Sequence, residues 1–128
     1  MDKNRVYADT NGPHGPNMIV LSGRGTMSDL RKHSIDLAEG MPLDLWTDDG
    51  DNHGNFDPLY FEGIVHYDSG IASWVAIVND NSYRNASDQT RYDSYMMTHR
   101  GNPEVPFYRF IRSHPNYGEP VVEDDRRD

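Results

Sequence analysis

Apolar residues in the first eighty positions occur in short runs and alternating patterns that are typical of β-strands. The Met-Ile-Val-Leu run at 18–21 is bounded by Gly23, as expected for a short buried strand. Alternation over 42–47 places Leu43 and Leu45 on the same face, because successive strand residues point to opposite sides. The pattern predicts four strands, at 18–21, 42–47, 59–67 and 72–78.

The last two predicted strands are joined by a short segment, 68–71, with the composition of a tight turn. With Ser69 and Gly70 as a two-residue loop, Val65 pairs with Trp74 on the face that contributes to the core. The opposite face is too apolar to be fully exposed, so we expect another segment to cover it. Its residues are Tyr60, Glu62, Ile64, His66, Ser73, Val75 and Ile77.

A short helix is predicted between the first two strands, at 26–33. Thr26 provides a hydroxyl that can cap a helix, and Asp29 is placed near the positive N-terminal end. Arg31 and Lys32 fall in the last turn, where positive charge is favourable.

The C-terminal third predicts a second helix that begins after Asp88 and includes Tyr92, Tyr95 and Met96 at helical spacing. We expect this helix to pack on the sheet. The aromatic segment 106–111 follows, and two interpretations remain open for it. It docks on the folded body, or it is a peptide that binds a partner.

These elements predict a mainly β fold with a minor α component. We expect a small, partly open β-barrel or a strongly bent antiparallel sheet, of SH3-like or OB-like architecture. The length of 128 residues fits one domain. We predict a flexible leader at 1–16, a single compact domain at 17–112 and a disordered acidic tail at 113–128.

The net charge of −9 is distributed unevenly along the chain. Residues 33–83 contain no Lys or Arg but carry ten acidic residues: Asp36, Glu39, Asp44, Asp48, Asp49, Asp51, Asp57, Glu62, Asp68 and Asp80. A field of this sign repels nucleic acid and anionic membranes and attracts cations or basic protein surfaces. Direct binding to nucleic acid or to a membrane is therefore not expected.

Other features narrow the class of protein further. The chain has no cysteine, which fits a reducing compartment, and its start lacks the apolar region of a signal peptide. We therefore expect a cytoplasmic location. No phosphate-binding loop, nucleophile elbow or zinc-protease signature is present, so the sequence favours a protein that is not an enzyme.

The acidic segment 48–57 is the strongest candidate site, because its oxygen ligands suit weak binding of Ca²⁺ or Mg²⁺. The spacing does not fit an EF-hand, since Tyr60 occupies the twelfth position where a bidentate Glu is required. A solvated, turn-rich loop without a metal is the alternative interpretation, and no other cofactor is expected. The candidate metal ligands are Asp49, Asp51, His53 and Asp57.

Our leading hypothesis is a non-catalytic interaction module that binds a basic protein partner. Trp46 points away from Leu43 and Leu45, so we place it beside the acidic segment, where an aromatic ring suits a cationic ligand. The candidate partner-binding residues are Trp46, Asp48, Asp49, Asp51 and Asp57. Two alternatives remain. One is an acidic nucleic-acid mimic that inhibits a DNA-binding protein. The other is a divalent-metal-binding protein or a metal-assisted hydrolase that uses the acidic segment 48–57 with His53 or His66.

Overall fold

A mixed β-sheet of six strands forms the body of the protein. The computed structural model describes residues 4–15, 17–50, 53–99 and 105–113. The strands are β1 (Val6–Tyr7), β2 (Met18–Val20), β3 (Pro42–Thr47), β4 (Leu59–Asp68), β5 (Ser73–Val78) and β6 (Arg84–Asn85). The helices are α1 (Arg24–Lys32), α2 (Gln89–Thr98) and α3 (Phe107–Ser113), with 3₁₀ turns at Asp80–Ser82 and Ala86–Asp88.

The sheet curls into an open half-barrel with the strand order β1-β3-β4-β5-β2, and β6 pairs with the beginning of β4. This architecture confirms the prediction of a small, partly open barrel with a short helix after the strand at 18–20. The sheet is not purely antiparallel, however, because β1 runs parallel to β3. The four predicted strands are all present, and β3 has the predicted bounds.

The inner face of the sheet carries the main hydrophobic core. Leu43 and Leu45 are buried on β3, as the alternation predicted, and they lie opposite Gly63 and Phe61 of β4. Gly63 is required for close packing. A Cβ at this position would lie 3.0 Å from the carbonyl oxygen of Ile77.

The β4–β5 hairpin has a wider turn than the sequence predicted. Asp68 pairs with Ser73, so four residues rather than two lie in the loop, and Val65 lies opposite Ala76 instead of Trp74. The carboxylate of Asp68 accepts a hydrogen bond from the backbone of Gly70 at 2.8 Å, which favours the wider turn. A shift of two residues keeps every side chain on its predicted face, so the division into core and outer faces is unchanged.

The prediction of a flexible leader fails for the residues around β1. Val6 and Ala8 are completely buried, and Val6 lies opposite Leu45 in the parallel pair. A strand of two residues within a polar segment is too short to produce an alternating pattern. Its position is explained by contacts with residues that are distant in sequence.

Asp29 connects α1, β1 and β3. Its Oδ2 atom accepts hydrogen bonds from the backbone N–H of Tyr7 at 2.9 Å and from the indole N–H of Trp46 at 3.0 Å. The hydroxyl of Thr26 donates to the carbonyl of Tyr7 at 2.6 Å. The predicted capping role of Thr26 is therefore wrong, since the N-cap of α1 is Gly23. Asp29 lies beyond the first turn, not near the N-terminal end as predicted, and both side chains bind β1 instead.

The C-terminal helices form a second, aromatic cluster. Tyr92 and Tyr95 of α2 are buried together with Phe107 of α3, whose ring lies edge-on to that of Tyr92. Tyr108 of α3 lies edge-on to Tyr83, which in turn stacks on Phe61 of the main core. The aromatic segment thus docks on the folded body. The predicted tail lies outside the described residues from position 114 onward.

We predict that Asp29→Ala lowers the free energy of unfolding by about 3 kcal/mol, because two donors to one charged acceptor lose their partner. Urea denaturation measures the loss, and Ser28→Ala on the exposed side of α1 is the control. One of the two indole N–H resonances should also move upfield in the NMR spectrum. An unchanged stability would contradict the role of Asp29.

Candidate functional site

The acidic segment 48–57 is held against β6 and the turn that follows it. The carboxylate of Asp49 accepts a hydrogen bond from the side-chain amide of Asn85 at 2.9 Å. The carboxylate of Asp57 accepts from the backbone and the hydroxyl of Ser87, at 3.0 and 2.6 Å. Asp48 is exposed, and Asp51 lies outside the described residues. Two of the predicted site residues therefore have structural contacts that fix the segment.

The predicted metal ligands do not meet in one cluster. Within the described ranges, no group of three or more His, Cys, Asp and Glu side chains is close enough to hold a metal ion. Asp57 is oriented by Ser87 and Asp49 by Asn85. His53 is exposed on the same segment.

The side chain of Trp46 makes its contacts within the protein. Its indole N–H donates to Asp29, and its ring lies edge-on to Tyr7 with the ring centroids 5.1 Å apart. Its cross-strand neighbour Tyr60 binds a cation, but this cation is the guanidinium of Arg5, 3.6 Å from the ring centroid. The sequence suggested a cation–π contact between Trp46 and a partner. Next to Trp46, the protein makes such a contact internally, between Arg5 and Tyr60.

Arg84 is the most deeply buried charged side chain described, with a relative exposure of 2%. Its guanidinium contacts the carboxylate of Glu62 at 3.2 Å, the carbonyl of Ser82 at 2.7 Å and the side-chain oxygen of Gln89 at 2.9 Å. It also lies 4.1 Å from the ring centroid of Tyr92. These partners belong to β4, the 3₁₀ turn before β6, and α2.

The pKa of Tyr92, the aromatic neighbour of Arg84, is shifted by its surroundings. Burial, followed by the negative charge of Glu62, raises the pKa of Tyr92 to about 12, although the charge of Arg84 acts in the opposite direction. The phenol therefore remains neutral at physiological pH. Tyr92 provides a ring face for Arg84.

A groove of about 800 Å³ opens between α3, β6 with its flanking turns, and the start of β4. Tyr83, Phe107, Tyr108, Leu59 and Ile111 provide its aromatic and aliphatic surface. Three carboxylates and two guanidinium groups also line it, from Asp49, Asp80, Asp88, Arg84 and Arg112. The groove thus combines an aromatic floor with acidic groups from three separate segments.

The electrostatic environment of the groove is visible at Tyr83. Burial raises the pKa of this phenol, and the nearby charge of Asp80 raises it further. Of the two guanidinium groups, Arg84 is paired with Glu62, whereas Arg112 belongs to the last turn of α3. Asp88 forms an ion pair with Arg91 at 3.4 Å. Asp49 and Asp80 therefore contribute most of the negative field.

Of the predicted site residues that the structure describes, only Asp49 lines this groove. Asp80, Tyr83, Asp88 and Tyr108 were not among the predicted site residues. The aromatic content of the segment 106–111 was the available signal, because docking of this segment on the folded body was one of its two interpretations.

A second groove, of about 750 Å³, lies between α1 and the β4–β5 hairpin. Its lining is largely apolar and includes Met27, Tyr67 and Trp74. Ser34 and Ala72, on its opposite walls, have the left-handed φ values of 55° and 53°. Arg31 and Asp36 both line it, so its charge does not select a ligand of either sign.

The chain matches no family model, no curated protein and no solved structure. No helix within the described part of the chain is long and apolar enough to cross a membrane.

We predict that Arg84→Lys lowers the free energy of unfolding by about 2–4 kcal/mol. A lysine ammonium can keep the contact with Glu62, but it cannot reproduce the forked contacts to Ser82 and Gln89. Chemical denaturation measures the loss. Arg91→Lys, in a more exposed ion pair with Asp88, is the matched control and should change stability by less than about 0.5 kcal/mol. Equal losses in the two variants would contradict a special role for Arg84.

Proposed function

We propose that this protein is a non-catalytic interaction module that binds a Lys- or Arg-bearing segment of a protein partner. The observation that carries the proposal is the groove in which the aromatic rings of Tyr83 and Tyr108 lie beside the carboxylates of Asp49 and Asp80. Aromatic faces and carboxylates both attract guanidinium and ammonium groups. Leu59 and Ile111 also line the groove and offer an apolar surface to the aliphatic stem of such a side chain.

The acidic segment extends the attractive field beyond the groove. Asp49 lines the groove directly, and we assign the neighbouring predicted residues Asp48, Asp51 and Asp57 to longer-range attraction of the partner. Trp46 has a supporting role in this proposal, since its indole N–H binds Asp29. The absence of cysteine fits a cytoplasmic site of action, which forms part of the proposal.

The distribution of acids favours this function over a nucleic-acid mimic. A mimic requires carboxylates in a regular, phosphate-like array. Asp57 instead precedes β4 by two residues and Asp68 ends it, and a strand of ten residues spans about 30 Å. Each end has its own groove, and only the groove near Asp49 and Asp80 combines aromatic rings with an excess of carboxylates.

We predict that Asp80→Asn weakens binding of a labelled arginine heptapeptide about threefold, because a partly exposed ion pair is lost. Fluorescence anisotropy at low ionic strength measures the affinity. Asp36→Asn, which removes the same charge beside the other groove, is the matched control. We expect a much smaller effect from it. Raising the salt concentration should weaken binding to the unmodified protein.

Equal effects of Asp80→Asn and Asp36→Asn would contradict the groove as the binding site, since the peptide would then respond only to net charge. Binding that persists at high salt would contradict an electrostatic mechanism. A peptide of seven serines serves as the uncharged control.

A second variant should have the opposite effect. Arg112 lines the groove, and its positive charge there repels a cationic ligand. We therefore predict that Arg112→Gln tightens binding of the arginine heptapeptide about threefold. Arg109→Gln, on the same helix but not lining the groove, is the control. Weaker binding by Arg112→Gln would show that the groove prefers an anionic ligand.

A further inference from the structure

The outer face of the sheet carries a continuous apolar row that crosses four strands. Pro42 pairs with Ile64, Ile64 with Ile77, and Ile77 with Met18, so one residue from each strand lies in the same register. The side chains of a single register row are close neighbours on the sheet surface. In the next row Val20 pairs with Val75, which is completely buried, so the exposed apolar surface is limited to the row of Ile64 and Ile77.

This row is only partly covered, contrary to the expectation that another segment covers the whole outer face. Arg5 lies over Tyr60, and α2 contacts Arg84 through Tyr92, so the beginning of β4 is covered. Ile64 and Ile77 nevertheless remain 47% and 43% exposed. Two neighbouring β-branched residues this exposed, within an apolar row, are typical of a binding surface.

Carboxylates border the row on both sides. Asp44 and Glu62 form a cross-strand pair in the register next to Pro42 and Ile64. On the other side, Glu39 binds the imidazole of His66 at 2.8 Å, and its own side chain stays 62% exposed. Asp68 lies further along the same face of β4. Four acidic groups thus border the apolar row, and two of them have a cationic or titratable partner within the protein: Glu62 contacts Arg84, and Glu39 contacts His66.

We propose that this outer face binds an amphipathic segment of a partner protein in which apolar side chains are flanked by Lys or Arg. The apolar row takes the apolar side chains, and the bordering carboxylates take the positive charges. A second copy of this chain placed face to face would bring acidic borders against acidic borders. An anionic membrane would meet the same repulsion. The charge pattern therefore selects a basic partner.

This inference goes beyond the proposed function, because the surface is separate from the groove. Leu59 of the groove and Ile64 of the row are five residues apart on β4, or about 16 Å. The two surfaces can be tested independently, since variants on the outer face leave Asp80 and Tyr83 intact.

The test uses a labelled 14-residue amphipathic peptide of leucine and lysine and measures binding by fluorescence anisotropy. The double variant Ile64→Thr/Ile77→Thr keeps β-branching but removes apolar surface, and it should weaken binding about tenfold. Ile71→Thr is the matched control, because Ile71 is 36% exposed in the hairpin turn and lies outside the row. It should leave binding unchanged.

Two further peptides separate the contribution of the positive charges to binding from that of the apolar side chains. The serine/lysine peptide keeps the charge and the leucine/glutamate peptide keeps the apolar face, and both should bind at least tenfold more weakly. Equal binding of either peptide would overturn the proposal. The proposal would also be overturned if Asp80→Asn abolished binding of the leucine/lysine peptide while Ile64→Thr/Ile77→Thr left that binding unchanged. The peptide would then occupy the groove.

Sedimentation velocity and vesicle binding test whether a second copy of the chain or a membrane binds the outer face instead. The protein alone should be a monomer, and it should not bind vesicles of phosphatidylcholine and phosphatidylserine. A dimer that Ile64→Thr/Ile77→Thr abolishes, or vesicle binding lost in the same variant, would overturn the assignment of a basic partner. Circular dichroism checks that the double variant is folded. If it is not, Ile77→Thr alone should weaken peptide binding about threefold, and unchanged binding would overturn the proposal.

Discussion

The buried guanidinium of Arg84 is the interaction on which the arrangement of the C-terminal half depends. A buried charge is costly unless it is paired and hydrogen-bonded, so its partners must remain in place. Glu62, Ser82 and Gln89 provide these contacts, and Tyr92 provides an aromatic face. The requirement to satisfy one charged group therefore fixes α2 and β6 relative to the central strand β4.

The position of the groove follows from this constraint. Once α2 is fixed by Arg84, the aromatic cluster of Tyr95 and Phe107 places α3 beside Tyr83. The space that remains between α3, the start of β4 and the acidic segment is the groove. The proposed binding of a basic partner thus depends on a charge that lies beneath the binding surface.

The sequence predicted elements whose signal is local. Alternation in 42–47 identified β3 and its buried face, and the apolar pattern of β4 and β5 identified two strands. The hairpin register was wrong because turn geometry, rather than strand composition, sets it. β1 and the two hydrogen bonds accepted by Asp29 were missed, since they join residues that are distant in sequence.

The candidate site was predictable only in part, for the same physical reason. The acidic segment was visible as a run of like charges, but its carboxylates are oriented by Asn85 and Ser87, more than two dozen residues away. The groove combines residues from the described positions 10 to 112. Such a site is formed by tertiary packing, and spacing along the chain does not reveal it.

The most direct test of the account is an NMR titration of the protein with the arginine heptapeptide. The account predicts amide shifts that concentrate at residues 80–85 and 107–112, on the two sides of the groove. Shifts spread evenly over the acidic residues, or confined to the hairpin end near Asp68, would contradict it.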